Sequence, residues 1–169
     1  MTIELSRPIA LSKIRAQGQS IVVQATPEEC AAVAARMDLP AIRSLECRFE
    51  LSRADDGIAV FAKGRLLAEV TQTCVTSAED FDAKVEETFA ICFVPAGTER
   101  EDPDPDLPDE IPYQGDTIDL GEATTEQLGL ALDPWPRIEG ATVPVIDDDN
   151  DSSAFAVLAQ KLASDRTGH

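Results

Sequence analysis

Histidine is almost missing from this chain of 169 residues: the single one, His169, is its last residue. Ser-His-Asp and Cys-His catalysis need an imidazole held beside the nucleophile, so nucleophilic enzyme chemistry is nearly closed to it. Cysteine is sparse and scattered. Cys30, Cys47, Cys74 and Cys92 form no C-x-x-C pair, whereas a structural zinc site draws about four thiolate or imidazole ligands, usually in close pairs. The four read as small buried hydrophobes, Cys47 on the face it shares with Leu45, Phe49 and Leu51, and neither a metal nor another cofactor is expected. No apolar run approaches the roughly eighteen residues of a membrane span, and no basic start leads into an apolar segment. The expectation is a cytoplasmic chain without disulfides or a membrane partner. Aromatics are few as well, with six Phe, one Tyr and one Trp, so the core must be built mainly of Leu, Val, Ile and Ala.

Positive charge is the scarcest commodity of all. Lys and Arg number 14 against 32 Asp and Glu, for a formal net charge of −18. The imbalance is lopsided: residues 1–65 carry nine basic and eight acidic side chains, residues 66–169 five and twenty-four. Nucleic acid is bound chiefly by neutralising its phosphates with Lys and Arg. The second part of the chain would repel it, and a partner met by that part should be basic.

What the chain does have is alternation. Between Asp56 and Pro95, Leu66, Ala68, Val70 and Cys74 alternate with Arg65, Glu69, Thr71 and Thr73. Phe81, Ala83, Val85, Phe89, Ile91 and Phe93 then alternate with Asp82, Lys84, Glu86, Thr88 and Cys92. Period two is the mark of strands with one buried and one wet face. Glu87 alone breaks the apolar side, which predicts a bulge, a splayed end or a functional exception there. Upstream, Ser20–Ala25 is a short β-branched run, and Thr26-Pro27-Glu28-Glu29 predicts a capped helix start for an alanine-rich helix ending near Met37. Ala41–Arg53 alternates again and ends in Ala54-Asp55-Asp56-Gly57, a hairpin turn. A strand over Ile58–Ala62, turning back at Lys63-Gly64, completes four strands of one antiparallel meander.

The fold class this predicts is α+β, with a curled antiparallel sheet, a partly open barrel-like meander, and a few packed helices in a single domain over 1–169. Nine acids and four prolines between Glu99 and Asp119 predict a mobile acidic loop over 97–112. Thr124 or Thr125 is the expected cap of a later helix. A last amphipathic helix over 153–163 sets Phe155, Leu158 and Leu162 on one side.

These pieces together resemble a known family. Gly64-x-x-L-A-E-V-T-Q-T-C-V-T, then F-x-x-x-V-E-E-T-F-A-I-C-F-V-P, an acidic loop, D-T-I-D-L-G-E-x-x-x-E-Q-L-G-L-A-L-D-P-W-P-R and a final S-A-F-A-V-L-A are similar to the YceD family of large ribosomal RNA subunit accumulation proteins, in its proteobacterial form. The resemblance implies a bacterial factor needed for accumulation of 23S ribosomal RNA, acting in large-subunit (50S) biogenesis, with no established catalytic chemistry. Many members carry a cysteine pair where this chain has Thr71 and Cys74, and some a further cluster where it has Leu132–Ala141 without cysteine. A zinc role therefore does not carry over.

Three functional readings follow. An assembly factor would bind a basic ribosomal protein or pre-50S particle through acidic and aromatic candidates: Asp116, Asp119, Trp135, Asp147, Asp148, Asp149 and Asp151. A direct RNA binder would use Arg43, Arg48, Arg53, Lys63 and Arg65. An RNA-maturation enzyme would need Asp116 and Asp119 to hold a divalent ion, but two carboxylates without a third ligand are weak support; a capping or solvated pair is the simpler reading. Trp135, between two prolines, is either an exposed anchor or, more simply, the lid of a local core. Oligomeric state is not legible in the sequence.

Overall fold

The structure, a computed structural model, describes residues 3–102 and 104–142. Asp147, Asp148, Asp149 and Asp151, and the helix expected over 153–163, lie outside the described residues. Strand β1 (Pro8–Ala10) and a single 3-10 turn lead to β2 (Gln19–Gln24) and helix α1 (Pro27–Arg36). Three long strands follow, β3 (Ala41–Arg53), β4 (Val60–Thr73) and β5 (Asp80–Pro95), then β6 (Asp109–Tyr113), β7 (Thr117–Asp119) and α2 (Leu120–Ala131). The main sheet runs β2-β3-β4-β5-β6, a second pairs β1 with β7, and neither closes into a barrel. The class is α+β, and all neighbours are antiparallel except β5 and β6, which run parallel.

Alternation dictates which face is dry. Leu45, Cys47, Phe49 and Leu51 of β3 and Val60, Ala62, Leu66, Ala68 and Val70 of β4 all point into one core with Val33, Leu120 and Leu128 from the helices. Helix α1 packs on β3 and starts as the sequence predicts: Glu29 N–H donates to Thr26 Oγ1, and Thr26 N–H to Glu29 Oε2 at 2.8 Å, a reciprocal capping box. The β3–β4 register shifts between Ile42 and Ser44, a bulge that leaves Arg43 exposed.

Several sequence expectations need correction. Lys63-Gly64 is not a turn, because β4 passes through it unbroken; Gly64 is a strand residue whose missing side chain makes room for a neighbour's ring. The register also runs on through Leu66 and Glu87. Glu87 needs no bulge: it lies where β5 has no β6 beside it, and it is exposed. The acidic loop is shorter than 97–112, since Asp109–Tyr113 is β6. Its backbone bonds to β5, and buried Tyr113 donates its hydroxyl to Ile58 O at 2.8 Å. Helix α2 is capped by Asp119; Thr124 and Thr125 sit inside it, buried, their hydroxyls donating to Leu120 O and Gly121 O. Trp135 is 71% exposed rather than a lid.

Candidate partner-binding faces

Residues of opposite parity to the core make the outer face of the main sheet. Pairing places Val22, Arg48, Arg65 and Thr88 in one row across four strands, and Ser20, Glu50, Lys63 and Ala90 in the next. Arg48, Lys63 and Arg65 converge on a shallow depression of about 570 Å³. Val22, Phe61 and Leu67 on the same face are 49%, 46% and 41% exposed. These three apolar residues escaped the sequence reading, although Leu67 shares its parity with Arg65 and Glu69 and was findable on that ground.

The five basic candidates do not form one stripe. Arg43 pairs with Asp82 at 2.8 Å and Arg65 with Glu86 at 2.5 Å. Arg53 leaves the group altogether, because position 53 has the parity of Leu51. Its guanidinium donates to Leu11 O and Gly57 O, tying the β3–β4 turn to the N-terminal segment. Arg48 and Lys63 have no ion pair among the described residues, but Glu46, Glu50, Glu69 and Glu86 flank them in the register.

The acidic candidates divide as well. Asp119 Oδ1 accepts from Gly121 N–H, Glu122 N–H and Arg7 N–H, and Oδ2 accepts from the Ser6 hydroxyl at 2.5 Å. One carboxylate thus caps α2 and holds the N-terminal segment, leaving little capacity for a partner or an ion. Asp116 is exposed, and its carboxylate accepts from the Thr117 hydroxyl at 3.1 Å. Among the described residues no three His, Cys, Asp or Glu side chains converge as a metal site.

Cys74 follows β4 and is buried. Its Sγ accepts from Ser77 N–H and Ile138 N–H, both at 3.4 Å, and Val75 N–H donates to Pro136 O at 2.9 Å. Hydrogen bonding, from Ser77 above all and then from Ile138 N–H, pulls the thiol down to about 6. The effect is a clip that fixes residues 136–138 against the β4–β5 connection and leaves the neighbouring Trp135 projecting into solvent. Cys47, by contrast, is pushed up to about 12 by burial and is inert. No helix among the described residues is long and apolar enough to cross a membrane.

Comparison with known proteins supports one assignment. The family model described as large ribosomal RNA subunit accumulation protein YceD matches residues 62–159, from β4 onward. No curated protein and no solved structure matches the chain.

Proposed function

The chain belongs to the YceD family of large ribosomal RNA subunit accumulation proteins, and from that premise we propose that it acts without catalysis, by binding a basic ribosomal protein or another basic component of the pre-50S particle. The observation that carries this reading is the state of its cations. Of the five basic residues that could face RNA, Arg43 and Arg65 are paired with carboxylates and Arg53 is committed to two backbone carbonyls. A chain of net charge −18 that holds so few free cations on its sheet is poorly equipped to displace counterions from phosphates. It is well equipped to attract a basic protein, which would be steered by the acidic surface and would dissociate as salt rises.

The test sets isolated ribosomal proteins of the large subunit against protein-free 23S RNA fragments. Binding to a basic protein should be fast and should weaken steeply through about 0.15 M salt, where exposed charges are screened beyond roughly 8 Å. Asn at Asp147, Asp148, Asp149 and Asp151 should slow association and leave the melting temperature nearly unchanged. A tight complex with naked RNA, indifferent to those four changes and lost in Arg48→Ala/Lys63→Ala, would establish direct RNA binding instead.

A further inference from the structure

The two edges of the main sheet differ in kind. Strand β6, at one end of the order, is short and carries Asp109, Glu110 and Pro112, the charges and proline that keep an edge from pairing with another chain. Strand β2, at the other end, has neither. It lies within residues 16–27, the longest run of the chain without Asp, Glu, Lys or Arg. We propose that this edge pairs with its own counterpart in a second copy of the chain, antiparallel about Ile21, so that two main sheets become one.

The phase of the hydrogen bonds decides which groups are free. Ala25 N–H donates to Leu45 O at 3.0 Å, and the β2–β3 register continues from that pair without a shift. Val23, Ile21 and Gln19 therefore direct their N–H and C=O groups at β3, and the residues between them direct theirs away. Gln24 O already accepts from Arg7 Nη2 at 3.0 Å. Ser20 and Val22 are exposed, and their backbone groups have no partner among the described residues. Pairing about Ile21 sets Ser20 opposite the partner's Val22 and Val22 opposite the partner's Ser20, which forms about four hydrogen bonds and leaves the Arg7 contact intact. Half-buried Ile21 meets the partner's Ile21.

Charge selects the occupant. Two chains of net charge −18 repel wherever their acidic parts meet, and a basic partner is drawn to those parts rather than to an uncharged strand. Pairing through β2 keeps the acidic parts apart. Residues 96–113, with seven acids and one cation, belong to the β6 side, four strands and roughly 19 Å along the sheet from β2. On the outer face, Glu46, Arg48 and Glu50 of β3 would stand three strand spacings, roughly 14 Å, from their counterparts. That exceeds the screening length of about 8 Å at 0.15 M salt.

Sedimentation of the full chain tests this without any third component, so its outcome is independent of what the protein binds. The dimer should tighten about tenfold as salt rises from roughly 0.05 to 0.5 M, the reverse of a complex with a basic protein. Val22→Pro removes an N–H that β3 does not use and should give a monomer with the far-ultraviolet circular dichroism of the parent. Val22→Lys should do the same by charge repulsion, whereas Phe61→Ser, on the outer face away from the edge, should stay dimeric. The Ser20 and Val22 amides should exchange about tenfold faster once the parent is diluted to monomer. A parent still monomeric at about 0.1 mM, a dimer loosened by salt, a dimer kept in both Val22 variants, or Ser20 and Val22 amides equally protected in the monomer would each overturn the proposal.

Discussion

The ring of Phe89 lies over Gly64, its directly opposed partner across β4 and β5. A Cβ on residue 64 would fall within the ring, 2.5 Å from both Cε atoms. The ring also meets Phe49 edge-on, with centroids 5.8 Å apart and planes at 75°, so three adjacent strands are joined through Phe49, Gly64 and Phe89. Gly64→Ala should swing Phe89 out of this contact and cost about 1–2 kcal/mol, most of it the lost aromatic pair. In Phe89→Ala the same substitution should cost nearly nothing. Additive losses in a denaturant double-mutant cycle would show that the ring and the glycine are not coupled.

Asp119 and Asp116 lie three residues apart in sequence and differ entirely in environment. Because Asp119 accepts four hydrogen bonds that join Ser6, Arg7 and the first turn of α2, Asp119→Ala should destabilise the fold by about 2 kcal/mol. Asp116→Asn should stay within about 0.5 kcal/mol. Thermal unfolding of the two variants separates them. Similar stability in both would mean that the Asp119 cap contributes nothing.

How legible these features are in the sequence depends on the range of the interactions that make them. Period two exposes the inward faces of β3, β4 and β5, and the Thr26–Glu29 capping box is readable because both its bonds close within four residues. Gly64 misleads because glycine in a strand and glycine in a turn look alike until the Phe89 opposite is known. Asp119 is obscure as a cap, with Thr124 and Thr125 following as equally good cap residues; its extra donors, Ser6 and Arg7, arrive from more than a hundred residues away. The parallel pairing of β6 is hidden by the acids and prolines around it. Of the site, Arg53 is the residue parity alone could have removed.

Arg7 and Glu29 give the fold an acid sensitivity. The guanidinium donates to both carboxylate oxygens, at 2.7 and 2.8 Å. That bond first, and Thr26 N–H second, hold the Glu29 carboxyl at about 2. A carboxyl depressed from an ordinary value of about 4.3 stabilises the fold fully above that value, and the contribution fades as pH falls toward 2. At a partly exposed pair screened by solvent, Glu29→Gln should cost about 1 kcal/mol at neutral pH. The gap between variant and parent should narrow below pH 4 and close near pH 2. A gap constant with pH, followed by denaturant unfolding, would place the cost in packing rather than charge.

Cys92 and Val94 have the outward parity of Thr88, yet both are buried. Beside them runs β6, with Glu110 opposite Cys92 and Pro112 opposite Val94. Arg100 Nε pairs with Glu110 Oε1 at 2.7 Å, its backbone N–H donates to Glu110 Oε2, and Nη2 donates to Pro108 O. Burial raises the Cys92 thiol and the Glu110 charge adds to it, while the Arg100 charge opposes both. Arg100→Ala should therefore open the cover, and Cys92 should react with a thiol reagent about tenfold faster under native conditions. The electrostatic effect runs the other way: losing a nearby cation raises the thiol further and slows its reaction. Acceleration can thus come only from exposure. Site-resolved mass spectrometry provides the internal control, because Cys47 lies in the core with its thiol near 12 and should stay unmodified in both proteins. If Cys92 labels no faster in the variant, the cover is held by the β5–β6 pairing and Tyr113 rather than by Arg100.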